Sequence, residues 1–323
     1  MSADGSAPGG AKDAALDPHI AAMLDAANRR QGPDLVDLPL DLMREVFATV
    51  KLGKEPPPAE LAEVRDLQVD GAAGPLNARL YVPEGAASPG PLLVYFHGGG
   101  FVIGGIATAD SFCRRVAAEA RLRLLSVDYR LAPEHPFPAA HDDAVAAVLW
   151  CLRRAGEFGF DPGRIAVGGD SAGGNLAAST ALALRDRPDA RCAFQLLLYP
   201  VTQYTGVTDS MRRFGEGYFI SRREMDFFRD CLFGTGQPAA DPRLSVLYAN
   251  LAGAPPALIV TAGFDPLKDD GIAYAEALRR ARVEVEQREY PGMIHGFFGL
   301  SGVSPAVLDA TSWIARALAE ALA

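Results

Sequence analysis

Gly169, Ser171 and Gly173 stand at the defining positions of a G-x-S-x-G pentapeptide inside the run Gly168-Gly169-Asp170-Ser171-Ala172-Gly173-Gly174. The short apolar run Arg164-Ile165-Ala166-Val167 precedes it, and Asn175 to Leu184 reads as a helix, so the order is strand, tight turn, helix. A serine on so sharp a turn points its hydroxyl away from the sheet, and its neighbours must be small because the strand and helix backbones nearly touch. The helix beyond it offers unpaired N–H groups and the positive end of its dipole to a developing oxyanion. Glycine-rich turns also open ordinary βα units, and the flanking strand and helix are what give this one its meaning.

A serine hydroxyl is a poor nucleophile until a base takes its proton and a third group orients that base. There are five histidines. His19 lies in the N-terminal arm, His97 begins a glycine run, His135 sits between Glu134 and Pro136, and His141 opens a helix. His295 remains, in Tyr290-Pro291-Gly292-Met293-Ile294-His295-Gly296-Phe297, after the last expected strand. The acid should lie between serine and histidine in chain order. Asp265 does, directly after the strand Leu258 to Phe264. Asp269 and Asp270 compete with it, but they fall in the first turn of the next helix, where carboxylates offset the dipole.

Backbone donors for an oxyanion are expected from two places. One is Ala172, next to the serine; the other is the His97-Gly98-Gly99-Gly100 run after an early strand, with Gly98 and Gly99 as donors and Gly100 in support. His97 is then a residue that steadies the loop. Asp170 is expected to shape the turn and Glu134 to bond nearby loop backbone.

These residues need a scaffold that brings strand ends together. Strands are expected at 92–96, 123–127, 164–168, 193–199, 257–263 and 283–290, alternating with helices at about 110–121, 139–155, 172–186, 268–282 and 304–322, which implies a mostly parallel sheet covered on both faces. Val64 to Val69 and Ala78 to Val82 read as an antiparallel pair ahead of it. Two amphipathic helices come first. Asp17 caps one, with Pro18 at its first position and Ile20, Met23, Leu24 and Ala27 on one face; the other carries Leu42, Met43, Val46, Phe47 and Val50 and stops before Gly53. Residues 1 to about 14 read as disordered. The domain reading is an N-terminal helical arm over 1–55 that forms part of a cap, and a main domain over 56–323 with a cap insertion at about 202–248. That insertion holds Tyr204, Phe214, Tyr218, Phe219, Phe227, Phe228 and Phe233, a hydrophobic cover for a site beyond the strands' carboxyl ends.

The chain has 323 residues, nearly half of them apolar, and a net charge of −9. No run of Lys or Arg exceeds two residues, which argues against nucleic acid and anionic membrane as partners. Cys113, Cys151, Cys192 and Cys231 lie far apart without a C-x-x-C pair, so reduced thiols are expected and a metal knuckle is not. The N-terminus lacks the basic start and apolar block of a secretory signal, and no apolar run approaches the ~18 residues that span a bilayer; the expected location is cytoplasmic.

Together, HGGGF at 97–101, Asp128-Tyr129-Arg130-Leu131-Ala132-Pro133-Glu134 with the following His135 to Ala140, GDSAGG at 169–174, Asp265-Pro266-Leu267 and His295-Gly296-Phe297 resemble the bacterial hormone-sensitive-lipase-like (family IV) carboxylesterases over roughly residues 60–323. The resemblance implies an α/β-hydrolase fold with an eight-stranded sheet, a helical cap, no cofactor or metal, a small-molecule ester as substrate with a short to medium acyl chain, and frequent homodimers. It places nucleophile, acid and base on Ser171, Asp265 and His295, and oxyanion donors on Gly98, Gly99 and Ala172. Thr108-Ala109-Asp110 departs from the family's pattern, which has histidine in the middle. Two rival readings share the fold: a serine peptidase or amidase, and a small-molecule receptor, which in the plant gibberellin receptors lacks the histidine that His295 supplies here.

Overall fold

The structure is a computed structural model that describes residues 15–29, 32–52, 56–236 and 238–323. The expected disorder of residues 1 to about 14 and the stop at Gly53 lie outside the described residues.

Eight strands form one sheet: β1 (Glu63–Gly71), β2 (Gly74–Val82), β3 (Gly90–Phe96), β4 (Arg123–Val127), β5 (Phe160–Asp170), β6 (Phe194–Leu198), β7 (Ala257–Phe264) and β8 (Val285–Ile294). Across the sheet they run β1-β2-β4-β3-β5-β6-β7-β8. The first two pairings, β1 with β2 and β2 with β4, are antiparallel; every later one is parallel. Parallel neighbours need crossovers, and the helices that supply them cover both faces, so the inner strands are apolar on both sides. β3 shows the consequence. Leu92, Val94 and Phe96 pack into one core layer, and Leu93 and Tyr95 into the other.

The helices are α1 (Pro18–Asn28), α2 (Leu40–Leu52), α3 (Ile106–Ala120), α4 (Ala139–Arg153), α5 (Ala155–Phe158), α6 (Ala172–Leu184), α7 (Asp209–Phe214), α8 (Arg222–Phe233), α9 (Lys268–Arg280) and α10 (Pro305–Ala321). Residues of α4, α6 and α9 line one core layer; α1, α3 and α10 line the other. Asp17 caps α1 as expected, its Oδ1 accepting from the N–H groups of His19 and Ile20 at 3.0 and 3.1 Å. α3 begins four residues earlier than the sequence suggests, because the Asp128 carboxylate at the end of β4 accepts the Ile106 N–H at 2.7 Å and so caps a turn that lacks its own capping side chain.

β8 runs on to Ile294, past the expected end at 290. Its continuation pairs Phe264 with Ile294 after an irregularity at Gly263, where a Cβ would lie 2.1 Å from the Pro291 carbonyl oxygen. The strand therefore delivers His295 at its very end.

A third apolar cluster joins the N-terminal helices to the insertion: Met43 of α2 and Phe228 of α8 pack with Val102, Ile103 and Ala132. Arg44 fastens the same contact, donating to the Val102 and Ala132 carbonyls at 2.9 and 3.2 Å and, bidentate, to Glu134 at 2.6 and 2.8 Å. Glu134 thus bonds an arginine ninety positions away, in addition to the nearby loop backbone expected of it. Its carboxyl is pulled down to about 2 by that guanidinium. Of the apolar stripe on α2, Met43 is buried, while Leu42 and Val50 stay exposed at 43% and 49%.

Candidate active site

β3, β5, β7 and β8 are parallel members of one sheet, so their carboxyl ends open on one rim. His97, Ser171, Asp265 and His295 follow directly on those ends. Ser171 takes φ 55° and ψ −116°, a region that a side chain rarely adopts. Small neighbours permit it: a Cβ on Gly169 would lie 2.3 Å from the Gly173 carbonyl oxygen, and one on Gly173 would lie 1.9 Å from that of Phe96.

The strained turn aims the serine at His295. Ser171 Oγ lies 2.9 Å from His295 Nε2, and His295 Nδ1 lies 2.9 Å from Asp265 Oδ2. Asp265 is fully buried, and its other oxygen accepts the Leu267 N–H at 2.7 Å. With Nδ1–H donating to the carboxylate, Nε2 is left to accept the serine proton. The three residues picked from chain order are therefore contiguous. His19 and His135 are exposed and His141 is buried in the core, where burial lowers it to about 4. His97 stacks on Tyr129 at 4.3 Å, and the Tyr129 hydroxyl donates to the His97 carbonyl at 2.7 Å, which steadies the glycine run as expected.

One of the expected backbone donors is already hydrogen-bonded. The Gly98 N–H donates to Asp170 Oδ1 at 2.8 Å, and Tyr95 OH donates to the same oxygen at 2.8 Å. A Cβ on Gly98 would lie 2.4 Å from the other Asp170 oxygen. Gly98 is thus a glycine that admits the Asp170 carboxylate, and its N–H is already engaged there. Gly99 lines one of the cavities at Ser171, Ala172 the other, and Gly100 both.

Two cavities meet at Ser171. The larger, about 410 Å³, is lined by Met23 and Ala27 of α1, Val46 and Phe47 of α2, Leu300 and Val303, and it contains His295, Gly98 and Gly99. The smaller, about 260 Å³, is lined by Ala172, Tyr204, Val207, Met211, Met225 and Leu267. Phe228, Ile220 and Gly100 line both. Of the insertion's aromatics, then, Phe228 lines both cavities, Tyr204 and Phe219 line one each, and Phe214 and Tyr218 pack on Phe264, next to Asp265 in the chain.

Residues 93–299 match the family described by the alpha/beta hydrolase fold. The chain belongs to that family. Carboxylic ester hydrolase LipN of Mycobacterium tuberculosis is 47% identical over 252 residues, 76% of this chain and 67% of that one. Esterase LipI of the same organism is 40% identical over 303 residues, 92% of either chain. Among solved structures, an ester-hydrolase from the metagenome of Lake Arreo, complexed with a derivative of bipyridine phosphonate, is 43% identical, superposes with a TM-score of 0.91, and covers 94% of this chain and 98% of its own. The fold read from the motifs is the fold observed.

Within this α/β-hydrolase two residues behind the site carry more than the sequence suggested. Asp270, expected to offset the α9 dipole, is 1% exposed; burial raises its carboxyl to about 7, and it accepts from Thr202 N–H at 3.1 Å and Gln203 Nε2 at 3.3 Å. It thereby fixes the turn that bears Tyr204 and Thr205. Asn175, in the first turns of α6, donates to the Val201 and Leu244 carbonyls at 3.0 and 2.7 Å and accepts from His141 at 3.0 Å. A polar residue amid the apolar helix after Gly174 was the signal that could have found it. No disulfide links the cysteines, and no described helix is long and apolar enough to cross a membrane.

Proposed function

We propose that the protein is a serine carboxylesterase acting on small-molecule esters with short to medium acyl chains. The observation that carries this reading is the unbroken line Ser171–His295–Asp265, with both contacts at 2.9 Å, at the junction of two cavities. His295 takes the Ser171 proton as the hydroxyl attacks the ester carbonyl, and Asp265 holds the imidazole and stabilises its charged form. The N–H groups of Gly99 and Ala172 receive the oxyanion, aided by the α6 dipole. His295 then protonates the leaving alcohol. Because His295 lines only the larger cavity, that side takes the alcohol and the smaller one the acyl chain. Water enters, and the same base hydrolyses the acyl-enzyme.

Residues 1–55 and the insertion at 202–248 act in this reading as a cap on the catalytic domain 56–323, supported by the Arg44 clamp and the apolar cluster around Phe228. A homodimer, read by light scattering, and a cytoplasmic location, read by fractionation, belong to the same proposal.

The test is hydrolysis of p-nitrophenyl esters from acetate to palmitate by the native protein and by Ser171→Ala. The expected result is a maximum at short chains and a loss of about 10⁴-fold or more in the variant. A folded native protein inert on every ester refutes the reading.

A further inference from the structure

One carboxylate lining the larger cavity is only half engaged. Glu224 is the third residue of α8, and its Oε2 accepts both the Ser221 N–H at 2.7 Å and the Ser221 hydroxyl at 2.8 Å, while Ser221 Oγ accepts the Glu224 N–H at 3.2 Å. That is a complete reciprocal cap. Oε1 takes no part in it and bonds to no described residue, yet Glu224 lines the cavity beside Ile220 and Phe228. The neighbouring Arg223 is turned away, paired with Asp34 at 2.6 Å and with Asp37. No lysine or arginine is among the described residues lining this cavity, and its other acid, Asp170, has Oδ1 occupied by Tyr95 and Gly98. Burial, with Asp34 and Glu216 adding repulsion, raises the Glu224 carboxyl above the usual range.

An acceptor left over in a largely apolar wall is where a ligand's donor gains a hydrogen bond as well as contact. Under the esterase reading above, on which this step rests, the molecule in that cavity is the leaving alcohol, since His295 must reach its oxygen. We propose that Glu224 Oε1 is a specificity-determining acceptor for a hydrogen-bond donor, a hydroxyl or an ammonium, carried by the alcohol portion of the ester at a distance from the scissile oxygen. The preferred substrates are then monoesters of diols or amino alcohols rather than of plain alkanols.

The cap supplies its own control. In Glu224→Gln the amide oxygen stays on Ser221, because the cap requires an acceptor, so the amide nitrogen faces the cavity. The variant keeps the helix start and exchanges acceptor for donor at the point in question. The experiment compares butyrate monoesters of n-alkanols, α,ω-diols and ω-amino alcohols of matched length, from four to eight carbons, with native enzyme and Glu224→Gln, alongside p-nitrophenyl butyrate and thermal unfolding. The expected native result is a kcat/KM for a diol or amino-alcohol monoester about tenfold or more above its n-alkyl counterpart at the best-fitting length, the worth of one hydrogen bond to a charged acceptor. The advantage should lie in KM, because the contact is the same in ground and transition states. In Glu224→Gln it should vanish, with the n-alkyl butyrates still hydrolysed and the unfolding temperature unchanged. Which arm is larger identifies hydroxyl or ammonium as the donor. Equal values for all three classes at every length in the native enzyme, or a native-like advantage retained in Glu224→Gln, overturn the proposal while leaving the esterase reading intact. Absence of hydrolysis of every ester removes both.

Discussion

Replacing Asp270 by asparagine should remove a pH dependence of stability that the fold builds in. The carboxyl is almost wholly buried, and burial raises it from 3.8 to about 7, with nearby Asp265 adding to the rise. Between those two values the folded chain holds a proton that the unfolded chain has lost. Asp270's contribution is therefore fully present below 3.8 and is lost as pH rises to about 7. The interval from 3.8 to about 7, at about 1.4 kcal/mol per pH unit, amounts to roughly 4 kcal/mol. Asparagine does not titrate. Its oxygen can still accept the Thr202 N–H, while its amide nitrogen meets Gln203 Nε2, which cannot turn because Gln203 Oε1 already accepts from Thr205 and Gly206 at 2.8 Å each. That loss is a constant offset, so the informative quantity is the difference between the two proteins across pH. Urea unfolding from pH 4 to pH 8 should show the native protein losing on the order of 4 kcal/mol relative to Asp270→Asn, mostly below pH 7. A flat difference across that interval would refute the placement of a protonated carboxyl beneath the 201–206 turn.

His141 should act with the opposite sign. Its folded pKa is lowered to about 4 from 6.5, so its stabilisation is present above 6.5 and lost as pH falls toward 4, worth up to roughly 3 kcal/mol; His141→Gln should flatten the acid limb of the unfolding midpoint. Phe228→Ala removes the wall shared by the two cavities. It should cost about 3 kcal/mol in unfolding free energy and move the best p-nitrophenyl ester to a longer acyl chain, and an unchanged chain-length profile would show that Phe228 is not the partition.

What could be read in the sequence was what local chemistry dictates. The turn at Ser171 needs glycine on both sides wherever it occurs, and parallel strands need near-continuous apolar runs, so the elbow, the strand succession and the chain order of Ser171, Asp265 and His295 were all legible. What escaped depends on partners distant in the chain. Nothing near Gly98 announces that Asp170, seventy-two positions on, will accept its N–H. Nothing near Glu134 points to Arg44. Asp270 obeys the rule for carboxylates in a helix's first turn, and only the packing of the turn at Thr202 reveals that the same side chain is sealed from water. Leu42 and Val50 show the converse: periodicity marks the stripe on α2, but how far the stripe is covered depends on what lies against it.

The Asp17 N–H is held by the Gly292 carbonyl at 2.9 Å, and Asp17 Oδ2 accepts the Ser304 hydroxyl at 3.1 Å. One wall of the larger cavity is therefore made of the earliest described helices, but the seat on which α1 rests is synthesised close to three hundred residues later. While the chain grows on the ribosome, an apolar face bearing Ile20 and Leu24 must wait without its partner, through the emergence of the whole sheet. That fastening also falls close to His295, which lies three residues after Gly292. The residues that seat α1 and the histidine at the end of β8 therefore leave the ribosome almost together.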